Sequence, residues 1–258
     1  MRGFESYSEN YSCIRMERRE GILQVTFHTD GGSLRWGLGP HAELPDAFAD
    51  IARDRENRVV ILTGTGDEFS GPRGTPGGSA INADVTVELF DRVHREGRAL
   101  LMNLLDIEVP VIAALNGPAW RHSEIPLLSD IVIASETAAF QDSAHFPSGL
   151  VPGDGVHIVY PLLLGMNRGR YFLLTGETLD AGQAKELGLV AEVLPQDQVL
   201  ARAWALAEDL AKRPALQVRY TRLMFTEYLK RRMQELLGYG LAMEGLALME
   251  KPAPPADG

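Results

Sequence analysis

The 258 residues are 45% hydrophobic, carry a net charge of −10 and include one cysteine, Cys13. A chain of this size and composition buries a full core, while the acidic excess argues against nucleic acid as a partner. A lone cysteine excludes an intrachain disulfide framework and a cysteine-based zinc site. No apolar run reaches the length of a signal peptide or a membrane span, so no membrane contact and a reducing cytoplasm are the expected setting.

In chain order, Ile22–Phe27 reads as a strand, Leu44, Phe48 and Ile51 share one face of a helix, and Val59–Thr63 reads as a second strand. The opening dozen residues are expected to be partly disordered. Ser70–Ser79 is a Gly/Pro-punctuated loop without the spacing of a phosphate-binding motif, expected to be a mobile flap. A long helix with Leu89, Val93, Leu100, Leu101 and Leu104 precedes strands at Val111–Leu115 and Asp130–Ala134. Apolar strands joined by helices favour an α/β sheet covered on both faces. Beyond residue 156 helical periodicity dominates, apart from a short strand over Leu189–Val193. Residues 197–213 and 215–249 read as helices with Pro214 between them, and 251–258 as a disordered tail.

The chemistry concentrates in Ala144–His157, AHFPSGLVPGDGVH. Pro152, Gly153 and Gly155 account for a tight turn, and Asp154 is by itself a common turn former. His145 and Asp154 are nevertheless a natural base and a natural partner for a base. Neither a metal-ligand cluster nor a dinucleotide fingerprint is visible, so no metal or cofactor is expected.

Val59–Gly64, Val109–Gly117, Glu124 ahead of Ser129–Ala134, Gly149–Gly153 and Leu173–Ala181 leading to Leu187–Val190 together resemble the crotonase (enoyl-CoA hydratase/isomerase) superfamily. The resemblance implies a spiral of strand-strand-helix turns over 1–195, with two nearly perpendicular sheets, and a helical trimerisation region over 196–250. Leu236, Leu237, Leu241 and Leu246 are apolar candidates for that contact. A homotrimer or a dimer of trimers is the assembly implied.

The departures from the family pattern point to a branch. Acyl-CoA members bind the thioester oxyanion with backbone N–H groups of an Ala-Gly-x-Asp and a Gly-Gly-Gly segment. Here those places hold Phe69–Gly74, with Pro72 lacking an N–H, and Asn116–Glu124, with bulky Trp120, Arg121 and His122. Ser33–Trp36, Glu124–Pro126, Phe140–Asp142, His145–Gly149, Val151–Gly155, Asn167–Gly176 and Glu244 instead resemble the CoA-independent β-diketone hydrolases. That resemblance implies His145 and Asp154 as the catalytic pair, with Asp154 fixing the tautomer, and His122 facing the product enolate. It implies Glu244 as a neighbour of His122, and Trp36, Trp120 and Phe146 as substrate contacts. The substrate implied is a small cyclic diketone, cleaved without cofactor or metal. Two alternatives remain open: an acyl-CoA hydratase or isomerase, for which Glu124 matches a catalytic glutamate, and a non-catalytic oligomeric scaffold. His28, His41, His94 and His157 read as structural or solvated.

Overall fold

The computed structural model describes residues 3–73 and 86–249. Most of the Gly/Pro-rich loop and the tail at 251–258 lie outside the described residues, so the expectations for them stand as stated. From residue 3 onward the opening segment is tied down. Tyr7 is fully buried and donates to Asp54 Oδ2 at 2.8 Å, which anchors the chain ahead of β1 (Ile14–Arg19).

The main sheet has six strands in the order β1, β2 (Ile22–Phe27), β3 (Val59–Gly64), β4 (Val111–Leu115), β5 (Ile131–Ser135) and β8 (Glu192–Leu194). Only β1 and β2 are antiparallel; the remaining pairs are parallel. The short strand thus lies at 192–194 rather than 189–193, because Leu189 and Val190 close the preceding helix by donating to Ala184 O.

Alternation along the strands builds two apolar layers. Leu23, Val25, Phe27, Val60 and Leu62 face one cluster, which α1 (Leu38–Arg53) and α2 (Val87–Asp106) cover. Ile22, Val59, Ile61, Ile112 and Ile133 face the other, sealed by Val199, Ala203 and Ala207 of α7 (Gln196–Ala211). The long helix α8 (Ala215–Leu248) inserts Met233, Leu237 and Leu241 into the first cluster. Leu237 and Leu241 therefore serve the chain's own core, whereas Leu236 and Leu246 are exposed.

A second ladder runs beside the main sheet. It consists of the bridges Arg35–Gly71, Ser70–Ala119 and Ala119–Phe140, continued by β6 (Ala139–Phe140) and β7 (Leu179–Asp180). Each turn of the chain thus leaves the main sheet, adds one short extended piece to this ladder and then enters a helix. Trp36, His122 and Asp142 all lie just past rungs of the ladder, which gathers residues far apart in sequence into one place. The helices that follow are α3 (Glu124–Leu127), α4 (Val156–Leu164), α5 (Met166–Thr175) and α6 (Ala181–Glu186).

Candidate active site

A cavity of about 130 Å³ opens among Trp36, His41, Pro72, Arg121, His122, His145, Leu150, Asp154, Leu241 and Glu244. A larger groove of about 560 Å³ lies elsewhere, between the start of β5, α4 and the first half of α8. That groove is mainly apolar, and its buried Arg222 is paired with Asp130. The titratable cluster is at the smaller cavity.

The glycines explain how the cluster forms. A Cβ on Gly153 would come within 2.3 Å of Gly240 O on α8, so loop and helix touch backbone to backbone. Gly155, at φ +124°, then turns the chain into α4. Close approach at Gly240 brings Glu244, one turn further along α8, beside Asp154. His122 sits at φ 48°, in the left-handed region that non-glycine residues enter at a cost, and such strain concentrates at functional sites.

His145 lies at the centre. Its Nδ1 is 2.6 Å from Asp142 Oδ1, and its Nε2 is 3.4 Å from Asp154 Oδ2 and 3.9 Å from Glu244 Oε1. His122 Nδ1 is 2.7 Å from Glu124 Oε1 and 3.3 Å from Asp154 Oδ2, so Asp154 stands between the two imidazoles. Trp36 packs on the His122 ring with centroids 3.9 Å apart. Both Asp154 oxygens, Glu124 Oε2 and Glu244 Oε2 are buried without a hydrogen-bond partner within the protein. Buried acceptors left open in this way are directed at a ligand or at water.

The charges are strongly perturbed. Burial pushes the His145 pKa down, but Asp142, Asp154 and Glu244 outweigh it, and the imidazole is held well above its ordinary value. His122 is likewise raised: desolvation is outweighed by Glu124 and Asp154. Burial would raise Asp154, but the neighbouring His145 and His122 hold its carboxyl below the usual range. Glu244 goes the other way, pushed by burial up to about 7.

Several expectations need correction. Asp154 does not take the far ring nitrogen of His145; it faces Nε2, and Nδ1 belongs to Asp142. Glu244 neighbours His145 more than His122. Trp120 is buried away from the cavity, its Nε1 donating to Glu68 Oε1 at 3.1 Å, and Phe146 is 48% exposed; neither lines the cavity. The reasons differ: Trp120 and Arg121 are adjacent in an extended segment and point to opposite sides, whereas Phe146 opens a one-turn 3-10 helix, Phe146–Ser148, that carries its ring outward from His145. Glu124 is fully buried against His122. His41, read as structural, lines the cavity with Nδ1 3.0 Å from Glu96 Oε2, a contact between α1 and α2 that no sequence spacing announces. His122, Glu124 and Asp154 also place ligand atoms within 4.8 Å of one another, a group that could hold a metal and that the sequence did not suggest.

Two backbone donors beside the ladder are spent internally. Gly71 N donates to Leu34 O at 2.9 Å and Trp120 N to Ser70 O at 2.8 Å, while Pro72 has no donor.

Comparison with known proteins adds the following. The model of the enoyl-CoA hydratase/isomerase family matches residues 17–244. Among solved structures, a β-diketone hydrolase from the cyanobacterium Anabaena, bound to (S)-3-oxocyclohexyl acetic acid, aligns with a TM-score of 0.87 at 49% identity, covering 94% of this chain and 96% of that one. An enoyl-CoA hydratase/isomerase from Mycobacterium paratuberculosis aligns with a TM-score of 0.84 at 28% identity, covering 93% and 95%. A probable enoyl-CoA hydratase of Mycobacterium tuberculosis is 30% identical over 225 residues, 82% of this chain and 77% of that protein.

Proposed function

The chain belongs to the enoyl-CoA hydratase/isomerase family and has its crotonase fold, and from that premise we propose that it hydrolyses the carbon–carbon bond between the carbonyls of a cyclic β-diketone without coenzyme A. The observation that carries this reading is the convergence of His145, Asp154, Glu244 and His122 on one small, buried cavity.

The reaction is a retro-Claisen hydrolysis. His145 Nε2 removes a proton from water as the oxygen attacks one carbonyl carbon. The flanking Asp154 and Glu244 stabilise the imidazolium that forms, as an acidic partner does in a catalytic triad. Collapse of the tetrahedral adduct breaks the bond to the carbon shared by the two carbonyls, and the electron pair moves into an enolate. His122 donates to the enolate oxygen, in place of backbone donors that are used elsewhere. Protonation of the enolate carbon completes a keto acid, with both hydrogens of the water accounted for.

The ligand bound to the Anabaena enzyme suits this chemistry. Joining its carboxyl carbon to the ring carbon beside the ketone and opposite the side chain closes a second six-membered ring, a bicyclic 1,3-diketone. A cavity of about 130 Å³ suits a compact ring system and lies well below the roughly 300 Å³ at which pockets for larger ligands begin. Glu124, which would serve a hydratase, is fully buried, and its Oε1 is taken by His122 Nδ1.

Incubation with a panel of mono- and bicyclic 1,3-diketones, followed by titration of released acid, tests the proposal. Acid release from at least one member is expected. No release from any, with saturable acyl-CoA binding, would return the chain to the hydratase reading.

A further inference from the structure

We propose that Asp142 is a positioning residue that fixes the tautomer of His145, holding the proton on Nδ1 and leaving Nε2 as the nitrogen presented to the cavity. Asp142 itself does not line the cavity, so whatever it contributes to turnover passes through the imidazole.

The geometry permits one neutral tautomer. Asp142 Oδ1 lies 2.6 Å from Nδ1, whereas Asp154 Oδ2 is 3.4 Å from Nε2. With the proton on Nδ1, the short contact is a charge-assisted hydrogen bond and Nε2 keeps its lone pair. With the proton on Nε2, a carboxylate oxygen and a ring lone pair would face each other at 2.6 Å in a buried site, where such repulsion is least screened. Asp154 therefore acts on the reacting nitrogen, and Asp142 decides which nitrogen that is.

The segment holding the pair is pinned from several sides. Ser143 donates to Trp120 O through both N and Oγ, at 3.2 and 2.7 Å, and Gln141 Nε2 donates to Gly176 O at 2.7 Å. His145 O accepts from Leu150 N at 3.0 Å. Neither partner can drift away without breaking this network. The charged and titratable groups acting on His145 are Asp142 from the segment after β6, Asp154 from the turn before α4, Glu244 from α8, His122 from ahead of α3 and His157 from the start of α4; Arg121 acts on Asp142.

The catalytic consequence rests on the diketone-hydrolase reading, but the tautomer does not, and nitrogen-15 NMR of the histidine-labelled full chain reads it without substrate. The parent is expected to show His145 protonated on Nδ1 wherever it is neutral; the Nε2–H form would overturn the proposal. Asp142→Asn keeps an acceptor and removes the charge, so His145 should titrate at least about one pH unit lower, and the acid limb of the pH–rate profile should move with it. Asp142→Ala should lower kcat by about 10²-fold or more with KM little changed. Parent-like titration of His145 in a folded Asp142→Asn protein would also overturn the role. A shifted titration in a protein that cleaves no diketone would instead sink the proposed function and leave the role of Asp142 intact.

Discussion

Replacing Glu244 by glutamine should make the fold more stable at alkaline pH while slowing turnover. The carboxyl is 4% exposed, and burial lifts its pKa from 4.5 to about 7. A group whose pKa is raised by folding stabilises the fold fully below its unfolded value and loses that contribution as the pH rises through the folded value. For Glu244 the window runs from about 4.5 to about 7, and the loss amounts to about 3 kcal/mol at most. Glutamine has nearly the same shape and no charge to bury, so Glu244→Gln should gain up to about 3 kcal/mol over the parent at pH 8 and little at pH 5. Urea unfolding at the two pH values measures the difference. An advantage that is the same at both, or absent at pH 8, would refute the argument that this carboxyl is held in a desolvated place. The loss of activity follows from the same position, since the imidazolium of His145 would lose one of its flanking anions.

Four further outcomes are expected. His145→Ala and Asp154→Asn should each lower diketone cleavage by about 10²–10⁴-fold, with the double variant little worse than the poorer single one, because the two act as a unit; His122→Ala, which acts on a separate charge, should multiply with them. Steady-state rates with circular dichroism as a folding check decide this. Since the His145 pKa is raised, its neutral form gains population as the pH rises above neutrality, so kcat/KM should climb over that range rather than fall. Activity should survive chelator and dialysis, because Glu124 already accepts from His122 within the group that could hold a metal; abolition by chelator with rescue by zinc would contradict this. Finally, light scattering at micromolar concentration should give a trimer or a dimer of trimers, with exposed Tyr220, Met224, Phe225 and Tyr228 of α8 available as contacts.

How much of this was legible depended on whether a feature was local. Strands β2 to β5 are apolar runs because both of their faces are covered, and such runs stand out. Strand β1, Ile14–Arg19, was missed because Arg15 and Glu17 alternate with its buried residues and Arg18 and Arg19 end it, which reads as a polar stretch. The two-residue strands β6 and β7 are too short for any periodicity. His145, Asp154, His122, Trp36 and Glu244 came from matching motifs, and all five line the cavity. Asp142 was quoted without a role, since a carboxylate three residues from a histidine in a non-helical segment has no reason in sequence to face it. The turn that follows β6 makes that contact, while Trp120 takes its place beside the ladder and His41 takes its place through the α1–α2 contact with Glu96.

The ladder also explains why this site relies on side chains. An oxyanion hole of backbone N–H groups needs donors with no partner of their own, yet Gly71 and Trp120 donate to carbonyls within the ladder, and Pro72 has nothing to donate. The polar work then passes to groups that can change charge, and burying several of them together is tolerable only if they offset one another. The shifts run in that direction. His145 and His122 are drawn toward the cation, and Glu124 and Glu244 toward the protonated acid. A neutral substrate of the kind proposed above, a cyclic diketone, would enter such a site without upsetting that balance.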